Sequence, residues 1–246
     1  QDAKIIGGHT MEDRSEPTAP ITLGIDISLS INGIVSDDMN MWLKDGMQIG
    51  DVILLSRQLG SGVLFAAAMR NAVNPCYIDQ VIEILNISQH NLVEDLVKMK
   101  NYKSDSKIVH ACTDITGFGL LGHLNEMLRS SNSNRLNRGM SPIKIKLEAK
   151  KIPAFSGVIN LFRDGYSSTL APANRAFWNL LHPVGNAPFE LILGDIQKNS
   201  DHHKQIMELI VDPQTCGPLA LSCSKEVGAE LVNDGPWIQV GSVEPV

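Results

Sequence analysis

The stretch Lys107–Leu128, KIVHACTDITGFGLLGHLNEML, places a strand pattern directly before a helix pattern. Its first part, as far as Asp114, is an apolar run that favours a strand. From Gly117 to Ser130 the apolar residues recur at the spacing of a helix. The buried side of that helix would carry Leu120, Leu121, Leu124, Met127 and Leu128. The stretch therefore predicts a strand, a glycine-rich turn and a helix, with a single carboxylate where the strand ends.

Asp114 has two interpretations at this turn. In the first, it caps the helix by accepting hydrogen bonds from the first free N–H groups, a role that Thr116 fits equally well. In the second, it holds Mg²⁺ while the N–H groups of Gly117 and Gly119 face phosphate oxygens. Each glycine costs a helix about 1 kcal/mol relative to alanine, which indicates that close approach to the backbone matters here. The local pattern leaves both interpretations open.

Three other glycine-containing segments invite a similar question. Gly7-Gly8-His9-Thr10 has the composition of a turn, and a lone histidine is more often structural than catalytic. Gly60-Ser61-Gly62 opens a helix pattern after a strand pattern, which suits an anion site. The segment DPQTCGP, residues 212–218, is turn-prone from its Asp-Pro start onwards. Each signal is weak alone, but together they place several glycine-rich strand ends in one chain.

The remaining patterns mix strands and helices without regular alternation. Strands are predicted over 21–35, 50–56, 142–149 (as an edge strand), 189–193, 218–223 and 237–243. Helices are predicted after Gly62, over 77–100 with a break near 86–89, and over 155–164, 172–181, 201–210 and 224–235. Residues 130–141 are polar and predict an exposed loop. This order favours an α+β domain, with helices packed on a mixed sheet, over a doubly wound parallel fold.

Composition narrows the class of protein. The chain has 246 residues, with 21 Lys and Arg against 27 Asp and Glu and a net charge of −6. That balance argues against a nucleic-acid binder or a binder of anionic membranes. The longest apolar run, Val63–Met69, is too short to span a bilayer. A soluble protein is therefore expected.

The cysteines do not form a CxxC pair or a zinc pattern. Four cysteines in a chain of this length predict a reducing, cytoplasmic setting rather than a disulfide framework. Buried, unreactive thiols are predicted for Cys112 and Cys216.

The stretch around Asp114 closely resembles the signature of selenophosphate synthetase (selenide, water dikinase), a TD-[IV]-TGFGLLGH block in the second half of that enzyme. Four further landmarks match in the same order. GGHT resembles the family's GGH segment, and GDVILLSRQLGSG resembles its GD-x-L-x-LTKPLGTG segment. DPQTCGPLAL resembles DPQTSGGLL, and WIQVGSV resembles the closing I-x-G-x-V strand. The match extends over essentially the whole chain.

The resemblance implies that residues 1–246 are the C-terminal domain of such an enzyme, with sequence missing upstream. The family's N-terminal half carries the catalytic Cys or selenocysteine, a nearby Lys and further Mg²⁺-binding aspartates, and none of these can be identified here. The wider superfamily contains aminoimidazole ribonucleotide synthetase, thiamine-monophosphate kinase and the hydrogenase-maturation ATPase. In that superfamily the C-terminal domain is an α+β unit, and ATP lies between domains and subunits.

The resemblance also implies a reaction and its site residues. ATP, selenide and water would give selenophosphate, AMP and orthophosphate. Asp114 is then a Mg²⁺ ligand, while Gly7, Gly8 and His9 contact the nucleotide. No catalytic residue is implied in this chain, which would be inactive without its N-terminal domain and would form a homodimer with it. GVLFAAAMR resembles the variant in which the synthetase is fused behind a flavin-dependent NAD(P)H oxidoreductase.

Three residues depart from the family pattern. Pro218 stands where the family has a second glycine, which fixes φ near about −65° and removes a backbone N–H. Cys216 replaces a serine and Arg57 replaces a lysine. Two alternatives to the enzyme fragment therefore stay open. One is another ATP-using enzyme of the superfamily, and the other is a non-catalytic module that binds nucleotide or a partner.

Overall fold

The computed structural model describes residues 33–34, 41–102, 108–181 and 187–246. The chain divides into two compact units, Gln1–Asn40 and Met41–Val246, and all elements named below belong to the second. The predicted nucleotide contacts Gly7, Gly8 and His9 lie outside the described residues, as does nearly all of the strand predicted over 21–35.

The described residues form one six-stranded sheet. Its strands are β1 Val52–Leu55, β2 Ala111–Asp114, β3 Ile143–Glu148, β4 Phe189–Ile192, β5 Leu219–Cys223 and β6 Ile238–Pro245. In space they follow the order β2-β5-β1-β6-β3-β4. Neighbouring strands are antiparallel except β3 and β4, which run parallel. The sheet is therefore mixed, and the predicted α+β class is confirmed.

Helices connect the strands and pack on the sheet. In the described residues they are α1 Ser61–Ala68, α2 Pro75–Asn86, α3 His90–Tyr102, α4 Gly119–Asn137, α5 Val158–Arg163, α6 Ala171–Asn174, α7 Asp201–Leu209 and α8 Lys225–Asp234. Asn74, Ser200 and Ser224 each cap the helix that follows by accepting a hydrogen bond from an N–H of its first turn. Among the helices described, none has the length and apolar character needed to cross a membrane.

The two faces of the sheet are covered unequally. One face packs on the larger core, which includes Ile53, Leu55, Leu120, Leu124 and Ile145. The other face of β1 and β5 packs on a smaller cluster that includes Val52, Leu54, Leu96, Leu221 and Trp237. Next to that cluster, β3, β4 and β6 carry ion pairs among Lys144, Lys146, Glu190 and Glu244. This half of the second face is therefore partly open to water.

Helix α4 is longer than its apolar pattern predicts, so the exposed loop predicted over 130–141 is wrong for most of its length. The polar residues of this segment make tertiary contacts instead. The Ser131 hydroxyl accepts hydrogen bonds from the N–H groups of Gly46 and Met47, at 3.2 Å each. Asn132 exchanges two hydrogen bonds with the backbone of Ile143. Polar side chains here fasten the helix to neighbouring segments.

Strand β3 was predicted at an edge of the sheet, and that prediction is wrong. It lies between β6 and β4 and pairs with both. Its alternation of buried isoleucine or leucine with half-exposed lysine arises because one face of the sheet is open to water at this position. Alternation reports the exposure of a face, which an interior strand and an edge strand can share.

Candidate functional site

Asp114 lies at the C-terminal end of β2, an edge strand of the sheet, where it is exposed. It stands opposite Leu219, the first residue of β5. No hydrogen bond or ion pair engages its carboxylate within the described residues. Helix α4 has Phe118 at its N-cap, with no side-chain cap hydrogen bond. Neither Asp114 nor Thr116 therefore caps this helix, and the carboxylate stays available to a ligand.

Thr116 fixes the turn that follows Asp114. Its carbonyl oxygen accepts hydrogen bonds from the N–H groups of Gly119 and Gln214, at 3.0 Å each. Its hydroxyl oxygen lies 3.1 Å from Nε2 of His123, one turn into α4. The turn is thus tied both to its own helix and to the segment 212–218.

The two glycines of the turn have different roles. Gly119 has φ of 69°, and a Cβ placed on it would lie 2.8 Å from the carbonyl carbon of Val211. Its N–H already donates to Thr116, so the prediction that this group faces phosphate is wrong. The N–H of Gly117 has no hydrogen-bond partner among the described residues, and an added Cβ would meet only a methyl of Leu170 at 3.9 Å. Gly117 remains a candidate donor.

The start of α1 is filled by the protein's own side chains, although Gly60-Ser61-Gly62 has the composition of an anion site. Oε1 of Gln214 accepts hydrogen bonds from the N–H groups of Gly60 at 2.9 Å and Ser61 at 3.2 Å. Oδ2 of Asp212 accepts from the N–H of Val63 at 3.3 Å. The idea of an open anion site at this helix start is therefore wrong.

Asp212 is fully buried, which the sequence did not indicate. Burial raises the pKa of its carboxyl group to about 7, although hydrogen bonds from the N–H of Val63 and from Gln214 oppose the shift. Gly62 permits this arrangement, because a Cβ there would lie 2.2 Å from the carbonyl oxygen of Pro213. The Asp-Pro pair was interpreted as a turn signal only. The contact that buries the carboxyl group comes from a helix about 150 residues earlier in the chain, so no local pattern could reveal it.

The segment 212–218 also reaches the ends of β1 and β2. Arg57 is buried just after β1, and its guanidinium donates to the carbonyl oxygens of Cys216 at 3.2 Å and Ile87 at 3.0 Å. The carbonyl oxygen of Pro218 accepts from the N–H of Ile115 at 2.8 Å. The proline therefore keeps the tie to the turn beside Asp114, even though it lacks an N–H of its own.

The cysteine predictions have a mixed outcome. Burial, and then the negative charge of Asp114, raise the pKa of Cys112 to about 12. The thiolate is the reactive form of cysteine, so this shift favours the predicted unreactive thiol, but Cys112 is half-buried rather than buried. Cys216 is exposed, so the prediction that it is buried is wrong. Cys76 and Cys223 are also free thiols.

Asp114 fits one kind of metal site. In the part of the chain that the structure describes, no three His, Cys, Asp or Glu side chains are grouped so that they could hold a metal ion. Mg²⁺ rarely needs such a group, since it keeps several waters and binds through one or two carboxylates together with substrate phosphates. A single exposed carboxylate at a strand end suits that type of coordination.

Two curated proteins are similar in sequence to most of this chain. The chain is similar to selenide, water dikinase of Clostridioides difficile, at 30% identity over 94% of the chain and 55% of the relative. It is 31% identical to selenide, water dikinase of Treponema denticola over 94% of the chain and 53% of that protein. The chain thus spans about half the length of the curated relatives it matches.

A solved structure and a family model also match the chain. The hydrogenase maturation protein HypE is 16% identical over 87% of this chain and 49% of its own, with a TM-score of 0.48. Residues 48–232 match the family model described as AIR synthase related protein, C-terminal domain. Because that match covers well over half of the chain, the chain belongs to the C-terminal domain family of AIR synthase related proteins.

Proposed function

We propose that residues 1–246 are the C-terminal domain of a selenophosphate synthetase, which converts ATP, selenide and water into selenophosphate, AMP and orthophosphate. The similarity to two curated selenide, water dikinases supports the activity. The span of about half of each relative supports the assignment to one domain, with an N-terminal domain supplying the rest of the site.

The observation that carries the proposal is the exposed carboxylate of Asp114, unengaged by the described residues, at the end of an edge strand. This carboxylate would hold Mg²⁺ together with phosphate oxygens of ATP. The bound ion would neutralise the charge of the phosphates during phosphoryl transfer. The N–H of Gly117, three residues further on, is a candidate donor to a phosphate oxygen. Nucleotide contacts at Gly7, Gly8 and His9 rest on the sequence resemblance.

Further parts of the proposal also rest on the sequence. The full-length enzyme would be a homodimer, and the segment GVLFAAAMR supports a fusion behind a flavin-dependent NAD(P)H oxidoreductase. A cytoplasmic location is supported by the four free thiols, since thiols persist in a reducing compartment.

The test is selenide-dependent AMP formation by the full-length protein. Asp114→Asn should abolish it while leaving the circular dichroism spectrum and the melting temperature unchanged, because the native carboxylate makes no contact with the described residues that an amide would lose. Asp79→Asn is the matched control, since Asp79 is exposed on α2 and should tolerate the change. The isolated 246-residue chain should form no AMP.

Each result has a defined meaning. Full activity of Asp114→Asn would contradict the metal role, and loss of folding in this variant would assign Asp114 a structural role. AMP formation by the isolated chain would contradict the domain assignment. ATP consumption that does not depend on selenide would favour another ATP-using enzyme of the superfamily.

A further inference from the structure

A chain of polar contacts runs along α4 to the turn beside Asp114. Nζ of Lys44 lies 2.8 Å from Oε2 of Glu126. The same oxygen lies 3.2 Å from Nδ1 of His123, and Nε2 of that ring lies 3.1 Å from the hydroxyl oxygen of Thr116. The His123 side chain is 8% exposed, so water contributes little to its hydrogen bonding. The contacts with Glu126 and Thr116 therefore account for both ring nitrogens.

The direction of each hydrogen bond follows from the charge of Glu126. The hydrogen bond from Lys44 is the largest of several effects that lower the pKa of this carboxyl group. An ionised carboxylate only accepts hydrogen bonds, so Nδ1 of His123 must carry the proton that joins them. In the neutral imidazole Nε2 is then an acceptor. With the ring in this neutral form, the hydroxyl of Thr116 donates its proton to Nε2.

This orientation gives Thr116 a particular chemical character. Its hydroxyl proton is engaged by His123, so the oxygen can only accept from, or coordinate, an additional group. A phosphate oxygen is itself an acceptor and finds no donor there. A water molecule bound to Mg²⁺ is a strong donor, so it can donate a hydrogen bond to the hydroxyl oxygen of Thr116. Thr116 is half-buried, and its backbone is held by the N–H groups of Gly119 and Gln214, so the hydroxyl cannot easily move away.

We propose that His123 is a positioning residue, which makes the hydroxyl of Thr116 an acceptor for a water molecule on the cation bound by Asp114. The hydroxyl of Thr116 thus recognises a hydrated divalent cation rather than bare phosphate. This inference rests on the proposed function, in which Asp114 is the cation ligand. Beyond that function, we infer the direction of the Thr116–His123 hydrogen bond and a contribution of that bond to cation affinity.

The first measurement is the tautomer of the neutral His123 ring, by ¹⁵N NMR of histidine-labelled chain over a series of pH values. We expect a protonated Nδ1 and an unprotonated Nε2, with the signal assigned by its loss in His123→Gln. Thr116→Val should shift the Nε2 resonance, because the hydrogen bond from the hydroxyl is removed. A neutral ring that carries its proton on Nε2 rather than Nδ1 would overturn the proposal whatever the function of Asp114.

The second measurement is the binding of Mn²⁺, as a probe for Mg²⁺, to the full-length protein in the presence of ATP. Thr116→Val should weaken binding about tenfold, a typical loss for an outer-sphere partner of a metal. Thr116→Ser keeps the hydroxyl and should keep most of the affinity. His123→Gln can place an amide oxygen near the position of Nε2 and should bind more tightly than His123→Leu. Thr169→Val, at an exposed threonine outside this chain of contacts, is the matched control.

The two proposals fail in different ways. If Asp114→Asn weakens Mn²⁺ binding and Thr116→Val matches the unmodified protein, the positioning role is wrong and the proposed function stands. If Asp114→Asn leaves Mn²⁺ binding unchanged, the cation site and the role of Thr116 in it are both wrong. His123→Leu removes a buried ring and can impair folding, but Thr116→Val is nearly isosteric and keeps the test decisive.

Discussion

At the scale of single residues, Asp212 is the most unusual group in the described chain. Its carboxyl group is fully buried at the start of α1, and Oδ1 completes no hydrogen bond of normal geometry, although Ser168 lies beside it. Burial raises its pKa to about 7. The folded protein therefore retains a proton that the unfolded chain, with a carboxyl pKa near about 4, has already lost.

The stability of the protein should accordingly depend on this proton. The contribution of Asp212 is complete below about pH 4 and is lost as the pH rises to about 7, because the unfolded chain binds fewer protons over that interval. Asp212→Asn stays neutral at every pH. Relative to the unmodified protein, its free energy of unfolding should rise by about 2–4 kcal/mol between pH 4 and pH 7.

Urea denaturation at a series of pH values measures this difference. Asp79→Asn, at an exposed site, should follow the unmodified protein throughout. A difference between Asp212→Asn and the unmodified protein that stays constant from pH 4 to pH 8 would show that the buried carboxyl group is already ionised.

At the scale of elements, the turn from β2 into α4 is shaped by close packing. Gly119 adopts a left-handed conformation against the carbonyl group of Val211, where a side chain has no room. Gly119→Ala should lower the free energy of unfolding by at least about 1–2 kcal/mol, the cost of the left-handed conformation alone. Gly117→Ala should change it by less than about 0.5 kcal/mol, because only Leu170 lies near the added methyl group.

Chemical denaturation of the two variants provides the comparison. Equal destabilisation by both substitutions would contradict this division of roles. Nucleotide binding by the full-length protein adds a second comparison. Gly117→Ala keeps the backbone N–H, so nucleotide binding should weaken only if the added methyl group lies where the phosphate approaches.

Among these elements, features that depend on neighbouring residues can be predicted from the sequence, and features that depend on distant residues cannot. The apolar spacing of 117–130 predicted the start of α4 to within two residues and its buried side correctly, since both depend on residues close in sequence. Its C-terminal part was missed because Ser131 and Asn132 bond to distant backbone groups, which no local pattern reports. The position of β3 in the sheet was missed for a related reason. Strand order is set by pairings between distant segments.

At the scale of the whole molecule, three motifs of the described residues converge on one end of the sheet. Asp114 ends β2, Arg57 follows β1, and the segment 212–218 enters β5 between them. The sequence indicated Asp114 as a candidate metal ligand because the strand end, the carboxylate and the glycines are adjacent in the chain. The structural use of Gln214 and Asp212 could not be predicted, because it depends on α1. Arg57, Cys216 and Pro218, the three departures from the family pattern, all take part in hydrogen bonds at this end of the sheet.

The central claim is that Asp114 binds the divalent cation that accompanies ATP. Mn²⁺ added with ATP to ¹⁵N-labelled full-length protein tests it most directly, through paramagnetic broadening of backbone amide signals. We expect the signals of residues 113–117 to broaden, those of β4 at the opposite edge of the sheet to stay sharp, and Asp114→Asn to remove the broadening. Sharp signals for residues 113–117 in a protein that has bound both Mn²⁺ and ATP would contradict it.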